Sequence, residues 1–217
     1  MIFLGVALLF VSCHDNVTNP LNDIDVGTAA DYFSLKSGNW WSYSVSSMPS
    51  NQVLYTFQKY QLRRTIGDSL RHQNGNLLFQ FADQYDARIS YGIVYWYAVT
   101  DAGIFLYYGI QDSVYANGQW ISTITSKIPI LMNPILIGHS WTAVLSDSVE
   151  TYKIASISQQ TIGGIVRPLI GVAHFTSTKI DTSWYAKDYG LIYNHEYTMR
   201  IIPPQGSNTV LDSCYVQ

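Results

Sequence analysis

Charge is scarce in this chain: Asp, Glu, Lys and Arg together make up 12% of its 217 residues, about half the share of an average globular protein. Glutamate occurs only at Glu150 and Glu196. So little Glu and Lys, beside seventeen Tyr, six Trp and eight Phe, argues against both a helical bundle and a disordered chain. Twelve Lys and Arg stand against fifteen Asp and Glu, net charge −3, with no basic block, so the electrostatic footprint of a nucleic-acid binder is missing. Catalytic motifs are missing too: there is no G-x-S-x-G, S-x-x-K or H-E-x-x-H, and no phosphate-cradling glycine loop. The five histidines, His14, His72, His139, His174 and His195, show no metal-ligand spacing. With only two glutamates, glycosidase chemistry would fall to aspartates, of which Asp83, Asp86, Asp101, Asp112 and Asp147 sit at turn-like positions. The expectation is therefore no enzyme, no cofactor and no metal site.

Long apolar runs are limited to one, Met1 to Ser12. Twelve helical residues span about 18 Å against a hydrocarbon core of about 30 Å, so this is a signal h-region rather than a permanent membrane helix. Leu9-Phe10-Val11-Ser12-Cys13 resembles the bacterial lipobox, which marks Cys13 as the lipid attachment residue. Phe10 stands where Leu is usual, and no Lys or Arg precedes the run. The competing readings are a buried strand for the run and, because Cys13 and Cys214 are the only cysteines, a disulfide between the two ends of the chain in an oxidising compartment. The expected organisation is a signal peptide over 1–12, a lipidated Cys13 and flexible tether over 13–31, and one β domain over 32–217.

What is abundant is the strand signal. Val53, Tyr55 and Phe57 alternate with Leu54, Thr56 and Gln58, after which the apolar phase shifts to Tyr60 and Leu62; Leu77, Phe79 and Phe81 alternate again. Ile93 to Val99 and Ile104 to Tyr108 are apolar on both faces, which predicts strands covered on both sides. Tyr189, Leu191, Tyr193, His195, Tyr197 and Met199 share one parity, predicting a long strand with His195 as a hydrogen-bonded core histidine and Glu196 on the opposite face. Asn74-Gly75, Asp101-Ala102-Gly103, Asn117-Gly118 and Gly163-Gly164 read as hairpin turns, and Asn133-Pro134 and Pro203-Pro204 as loops. One internal echo stands out: Gly38-Asn39-Trp40-Trp41 and, a hundred residues on, Gly138-His139-Ser140-Trp141 both open an extended run. Two occurrences do not make a repeat.

Neighbouring strand residues face opposite sides, so Trp40 and Trp41 cannot share one core. Trp41 shares parity with Tyr43 and Val45 and is assigned to the core. Trp40, with Trp96 and Trp184 from the other aromatic segments, is a candidate to face a ligand, although filling the core of a β domain is the default use of such residues.

Tyr32-Phe33-Ser34-Leu35-Lys36-Ser37-Gly38-Asn39-Trp40-Trp41-Ser42-Tyr43, Pro134-Ile135-Leu136-Ile137-Gly138-His139-Ser140-Trp141 and Trp184-Tyr185-Ala186-Lys187-Asp188-Tyr189-Gly190-Leu191-Ile192, in that order, resemble three motifs of a group of Bacteroidota-type envelope lipoproteins. Ser34 replaces the usual proline of Y-F-P-L. The resemblance implies an all-β domain, a single antiparallel, partly open barrel or strongly curved sheet with little helix, comparable to lipocalin-like and lipoprotein-carrier folds. It brings no activity with it. The function expected is that of a lipid-anchored protein of the bacterial outer membrane, facing the periplasm or the surface, whose domain binds or scaffolds. Its partners would be the membrane, through the anchor, and an apolar small molecule, a glycan or an envelope protein. Carriage of an apolar ligand in a barrel cavity is the alternative, and an unrecognised envelope hydrolase a third reading.

Overall fold

The computed structural model describes residues 24–48, 58–71, 75–85, 92–116, 119–145, 148–198 and 205–217. Twelve antiparallel strands form one sheet: β1 (Trp40–Met48), β2 (Gln58–Arg71), β3 (Leu77–Tyr85), β4 (Gly92–Thr100), β5 (Gly103–Ala116), β6 (Gln119–Met132), β7 (Ser140–Leu145), β8 (Ser148–Ile162), β9 (Ile165–Phe175), β10 (Lys179–Ala186), β11 (Gly190–Thr198) and β12 (Gln205–Tyr215). The spatial order β6-β5-β4-β3-β2-β1-β12-β11-β10-β9-β8-β7 is two six-stranded meanders joined where β1 pairs with β12. Strands β6 and β7 end up facing each other, and no ladder joins them among the described residues. The molecule is thus a nearly closed barrel with one unsealed seam, the all-β, partly open barrel that the sequence predicts.

Alternation sorts the side chains. Trp41, Tyr43 and Val45 of β1 and Leu62 and Ile66 of β2 point into the core, which continues through Phe81, Tyr97, Leu106 and Ile128 to Ile154, Ile170 and Val172. Trp41 is 3% exposed, so the parity argument places it correctly. The apolar segments of β4 and β5 are covered on both faces: Tyr97, Ile104 and Leu106 belong to the main core, while Leu78, Ala98, Phe105 and Tyr107 form a second cluster on the outer wall.

The two glycine-tryptophan stretches are one device used twice. Gly38 and Gly138 both have φ +88, a left-handed conformation that glycine adopts without steric cost. Gly38 N–H donates to the Ile66 carbonyl, and Ile66 N–H donates back to Asn39; Gly138 and His139 make the same exchange with Ile154. Each turn opens the first strand of its meander and delivers a tryptophan, Trp41 or Trp141, to the interior.

One end of the barrel is stoppered by the segment preceding β1. Ala29 and Tyr32, in a 3-10 turn (Ala29–Tyr32), are fully buried. Ala29 N–H donates to Asn133 Oδ1 at 2.8 Å, and Asp188 N–H donates to the Asp31 carbonyl at 2.7 Å. Val26 also packs against the core, so packed structure begins before residue 32, where the tether was expected to end. The cause is the apolar side of this turn, which covers rings that would otherwise face water. Burial raises the Tyr32 phenol pKa, with the charge of Asp31 adding to it.

Several expectations lie outside the described residues: Cys13 and the signal segment, the Val53–Phe57 alternation, Asn74, the Asn117-Gly118 turn, Pro203-Pro204, His14, His72, Asp86 and Asp147.

Candidate functional site

The interior has an aromatic and a polar storey. Near the stopper, Phe33 stacks on Tyr185 (centroids 5.3 Å apart), Trp41 stacks on Phe81 (6.1 Å) and Phe81 meets Tyr97 (4.6 Å). Trp41 Nε1 donates to the Tyr189 carbonyl at 2.6 Å, and the Tyr43 hydroxyl donates to the Leu191 carbonyl at 3.2 Å, so these buried polar tips are satisfied. Among the rings lies one ion pair: Arg64 Nε and Nη2 donate to Asp83 Oδ1 and Oδ2 at 2.7 and 2.6 Å. Asp83, read from sequence as a turn residue, lies in mid-β3 at 2% exposure. It continues the inward parity of Phe81 and supplies the countercharge that Arg64 needs. Burial alone would lower the Arg64 pKa, but Asp83's charge and hydrogen bonds outweigh it and hold the guanidinium above its usual range.

Among these rings lies a cavity of about 40 Å³, lined by Phe33, Trp41, Tyr43, Arg64, Phe81 and Tyr185. That is room for a few waters, against roughly 300–1,000 Å³ for a small-molecule site. A wider surface groove of about 650 Å³ lies beside the stopper, bordered by Lys36, Arg167, Asp188, Tyr189 and Tyr215. Its arginine is already taken by Asp188 and lies over the Tyr189 ring. Cys214 borders it as a free, half-buried thiol whose pKa is raised by burial.

Toward the opposite end, the inward positions of β8 to β11 are polar. His174 Nε2 lies 3.0 Å from Glu150 Oε2 and its Nδ1 lies 3.1 Å from Asp181 Oδ2, so the imidazole is clamped between carboxylates of two neighbouring strands. The Tyr152 hydroxyl donates to Glu150 at 2.9 Å, and Lys179 pairs with Glu196. Burial lowers the pKa of His174, but the hydrogen bond to Asp181 and the charge of Glu150 outweigh it, and the net shift is upward. The arrangement suits an imidazolium with a carboxylate on each nitrogen. It leaves neither ring nitrogen to accept a substrate proton, and it differs from a metal site, where one ion sits between its ligands. Among the described residues, no group of three or more His, Cys, Asp or Glu is arranged to hold a metal.

The three tryptophans singled out as ligand candidates, Trp40, Trp96 and Trp184, are half-buried and all lie on the outer wall. Trp40 carries the Arg63 guanidinium 4.8 Å above its ring. Trp96 packs on the second cluster. Trp184 lies beside Gly171, where a Cβ would come within 3.1 Å of its Nε1, and its ring is 5.1 Å from that of Tyr193. Beyond Tyr193, Asn208 Oδ1 accepts from the Tyr193 hydroxyl at 2.9 Å and lies 2.6 Å from His195 Nδ1.

His195 is therefore an exposed outer-wall residue, not a core histidine. Trp184 pairs with Tyr193 but Tyr185 pairs with Leu191, so Ile192 is an extra residue in β11. This bulge shifts the strand's phase. Leu191 stays with the core, whereas Tyr193 and His195 turn outward. Sequence reasoning missed the Arg64–Asp83 pair and the His174 clamp. The available signal was a charged residue in the inward parity of an alternating strand, as in Tyr60, Leu62, Arg64, Ile66 and in Lys179, Asp181, Ser183, Tyr185.

No family model matches the chain, and no curated protein matches it. Among solved structures it is similar in fold to a candidate lipoprotein from Parabacteroides distasonis, with 12% identity and a TM-score of 0.45 over 85% of this chain and 98% of the other.

Proposed function

We propose that this chain is a lipid-anchored bacterial envelope protein, held at the outer membrane through Cys13, whose barrel binds or scaffolds on its outer wall without catalysing a reaction. The observation that supports this most is the packing behind the stopper: among the described residues, the ring stack and the Arg64–Asp83 pair leave a cavity of about 40 Å³ there, too little for an apolar cargo. That favours binding on the wall over carriage inside. A hydrolase reading built on the His174 cluster is disfavoured, because both ring nitrogens are bonded to carboxylates. The outer-wall strip of Trp184 and Tyr193, rimmed by Asn208 and His195, combines ring faces with amide and imidazole groups, a pattern suited to a glycan. The anchor is tested by Cys13→Ala in the full chain: the variant leaves the membrane fraction after a high-salt wash, because lipidation supplies the anchoring energy. Retention of the variant in the membrane overturns the anchored reading.

A further inference from the structure

The polar storey is mechanically connected to the seam. His174 stacks on Tyr152 with centroids 4.3 Å apart and planes 6° from parallel. Tyr152 stacks on Trp141 at 5.8 Å and 5°. Trp141 Nε1 then reaches across the open side of the barrel and donates to the Pro129 carbonyl of β6 at 3.0 Å. No ladder joins β6 to β7 among the described residues, so this side-chain bond stands where the sheet has no backbone ladder. Every ring in the row sits on the inward face of its strand, and the cross-strand partners Trp141 with Tyr152 and Tyr152 with His174 keep them in register.

We propose that His174 is a protonation-dependent latch, which holds the β6–β7 seam shut while its imidazole is charged. The groups facing it are Glu150 and Tyr152 of β8, and Asp181 and Lys179 of β10, with Glu196 of β11 behind Lys179. With His174 charged, this set holds two cations and three carboxylates. When the imidazole loses its proton, one ring nitrogen presents a lone pair to a carboxylate about 3 Å away, so one of the two bonds is lost and the pair repels. Glu150 is the link between the imidazole and the ring row, because it faces His174 Nε2 and accepts from the Tyr152 hydroxyl. Its displacement removes one of the bonds that orient the ring on which Trp141 is stacked.

The direction of the pH dependence follows from the upward shift of His174 from 6.5. A group whose folded-state pKa is raised contributes stability that is fully present below its unfolded value. That stability is lost as pH rises through the folded value. The seam is thus latched at mildly acid pH and loosens toward alkaline pH.

The test is amide hydrogen exchange of the full chain, corrected for the intrinsic pH dependence of exchange, between about pH 5.5 and about pH 8.5. Peptides covering β7 and the end of β6 lose protection on the order of tenfold with rising pH, while the β1–β12 junction does not. His174→Gln abolishes that step and leaves the seam at its alkaline level, whereas His139→Gln, whose ring lies 5.6 Å from Trp141, preserves it. Seam protection that is independent of pH in the wild type, or a step that survives His174→Gln, overturns the proposal. Should His174→Gln fail to fold, nuclear magnetic resonance on the wild type decides: the His174 ring and the Trp141 indole N–H titrate with one midpoint above about 6.5. An indole resonance that does not move with His174 overturns it equally.

Discussion

The barrel closes on itself twice, and the two closures are unlike. At one, β1 and β12 run as a ladder from Trp40 opposite Tyr215 to Met48 opposite Gly206, and Trp41 lies buried behind it. At the other, β6 and β7 face each other across the seam, and Trp141 bridges the gap with one bond. Both tryptophans arrive by the same turn, with a glycine at φ +88, and both donate their indole N–H to a distant carbonyl. What differs is the row of side chains each one heads. Trp41 leads to Arg64 and Asp83, a charge pair whose carboxylate is buried among rings. Trp141 leads to Tyr152, His174 and Asp181, a titratable row with one side toward water. A repeated turn therefore sets where a tryptophan enters, while the partner strands decide whether it becomes a core residue or a clasp.

The sharpest way to break this comparison is to remove each ring in turn. Trp41→Ala costs on the order of 3–5 kcal/mol, the range for deleting a buried aromatic. Trp141→Ala, half-buried with one hydrogen bond to lose, costs on the order of 1–2 kcal/mol. Urea unfolding of both variants measures the difference, and equal losses would mean that the seam is as solid as the ladder. Asp83→Ala comes next: it strands a half-buried guanidinium, at about 2–4 kcal/mol, whereas replacing Arg64 and Asp83 together by Met and Leu recovers most of that. A single Asp83→Ala as mild as the double replacement would show that water compensates the guanidinium once its partner is gone.

How much of this was legible in the sequence depends on range. Alternation and turn chemistry are local, so β3, β4, β5 and β11, the hairpin at Asp101-Ala102 and the one at Gly163-Gly164 could be read directly. The core position of Trp41 followed from parity alone. His195 was misplaced because parity assumes an unbroken strand, and the bulge at Ile192 leaves no mark in a run that is apolar on both sides of it. The clamp was out of reach for a different reason. Glu150, His174 and Asp181 stand on three strands, and only the register of β8 on β9 and of β9 on β10 brings them together. The Gly38 and Gly138 echo was visible in the sequence, but its meaning depended on Ile66 and Ile154, which no spacing rule connects to it.

A gentler pair of substitutions sharpens the comparison by testing what the two closures share. A Cβ at Gly138 would meet nothing within 4 Å, and at Gly38 it would meet only the Gln217 side chain at 3.5 Å. Replacing either by Ala therefore meets no clash, and the cost comes from forcing a side-chain-bearing residue into a left-handed conformation, about 1 kcal/mol or somewhat more. The two variants shift the thermal midpoint by similar amounts. A clear inequality would mean that one of the turns is held by more than its backbone bonds.

Modest stability effects also fall on the outer wall, where the first meander shows Trp40 and Trp96 half-buried and the second shows Trp184. Trp40 interacts with Arg63, an exposed cation–π contact worth about 0.5–1 kcal/mol. Trp184 rests beside Gly171 and Tyr193, and its removal exposes the backbone of β9 and β10 at the cost of about 1–2 kcal/mol. Neither substitution reaches the cost of Trp41→Ala, because neither ring is enclosed. Binding separates the two where stability does not. If the wall of the second meander is the glycan-facing one, Trp184→Ala loses retardation in gels containing neutral polysaccharides while Trp40→Ala keeps it, since Arg63 already occupies the Trp40 ring face. Equal retardation of both variants and the wild type would remove the Trp184 strip from consideration as a binding surface.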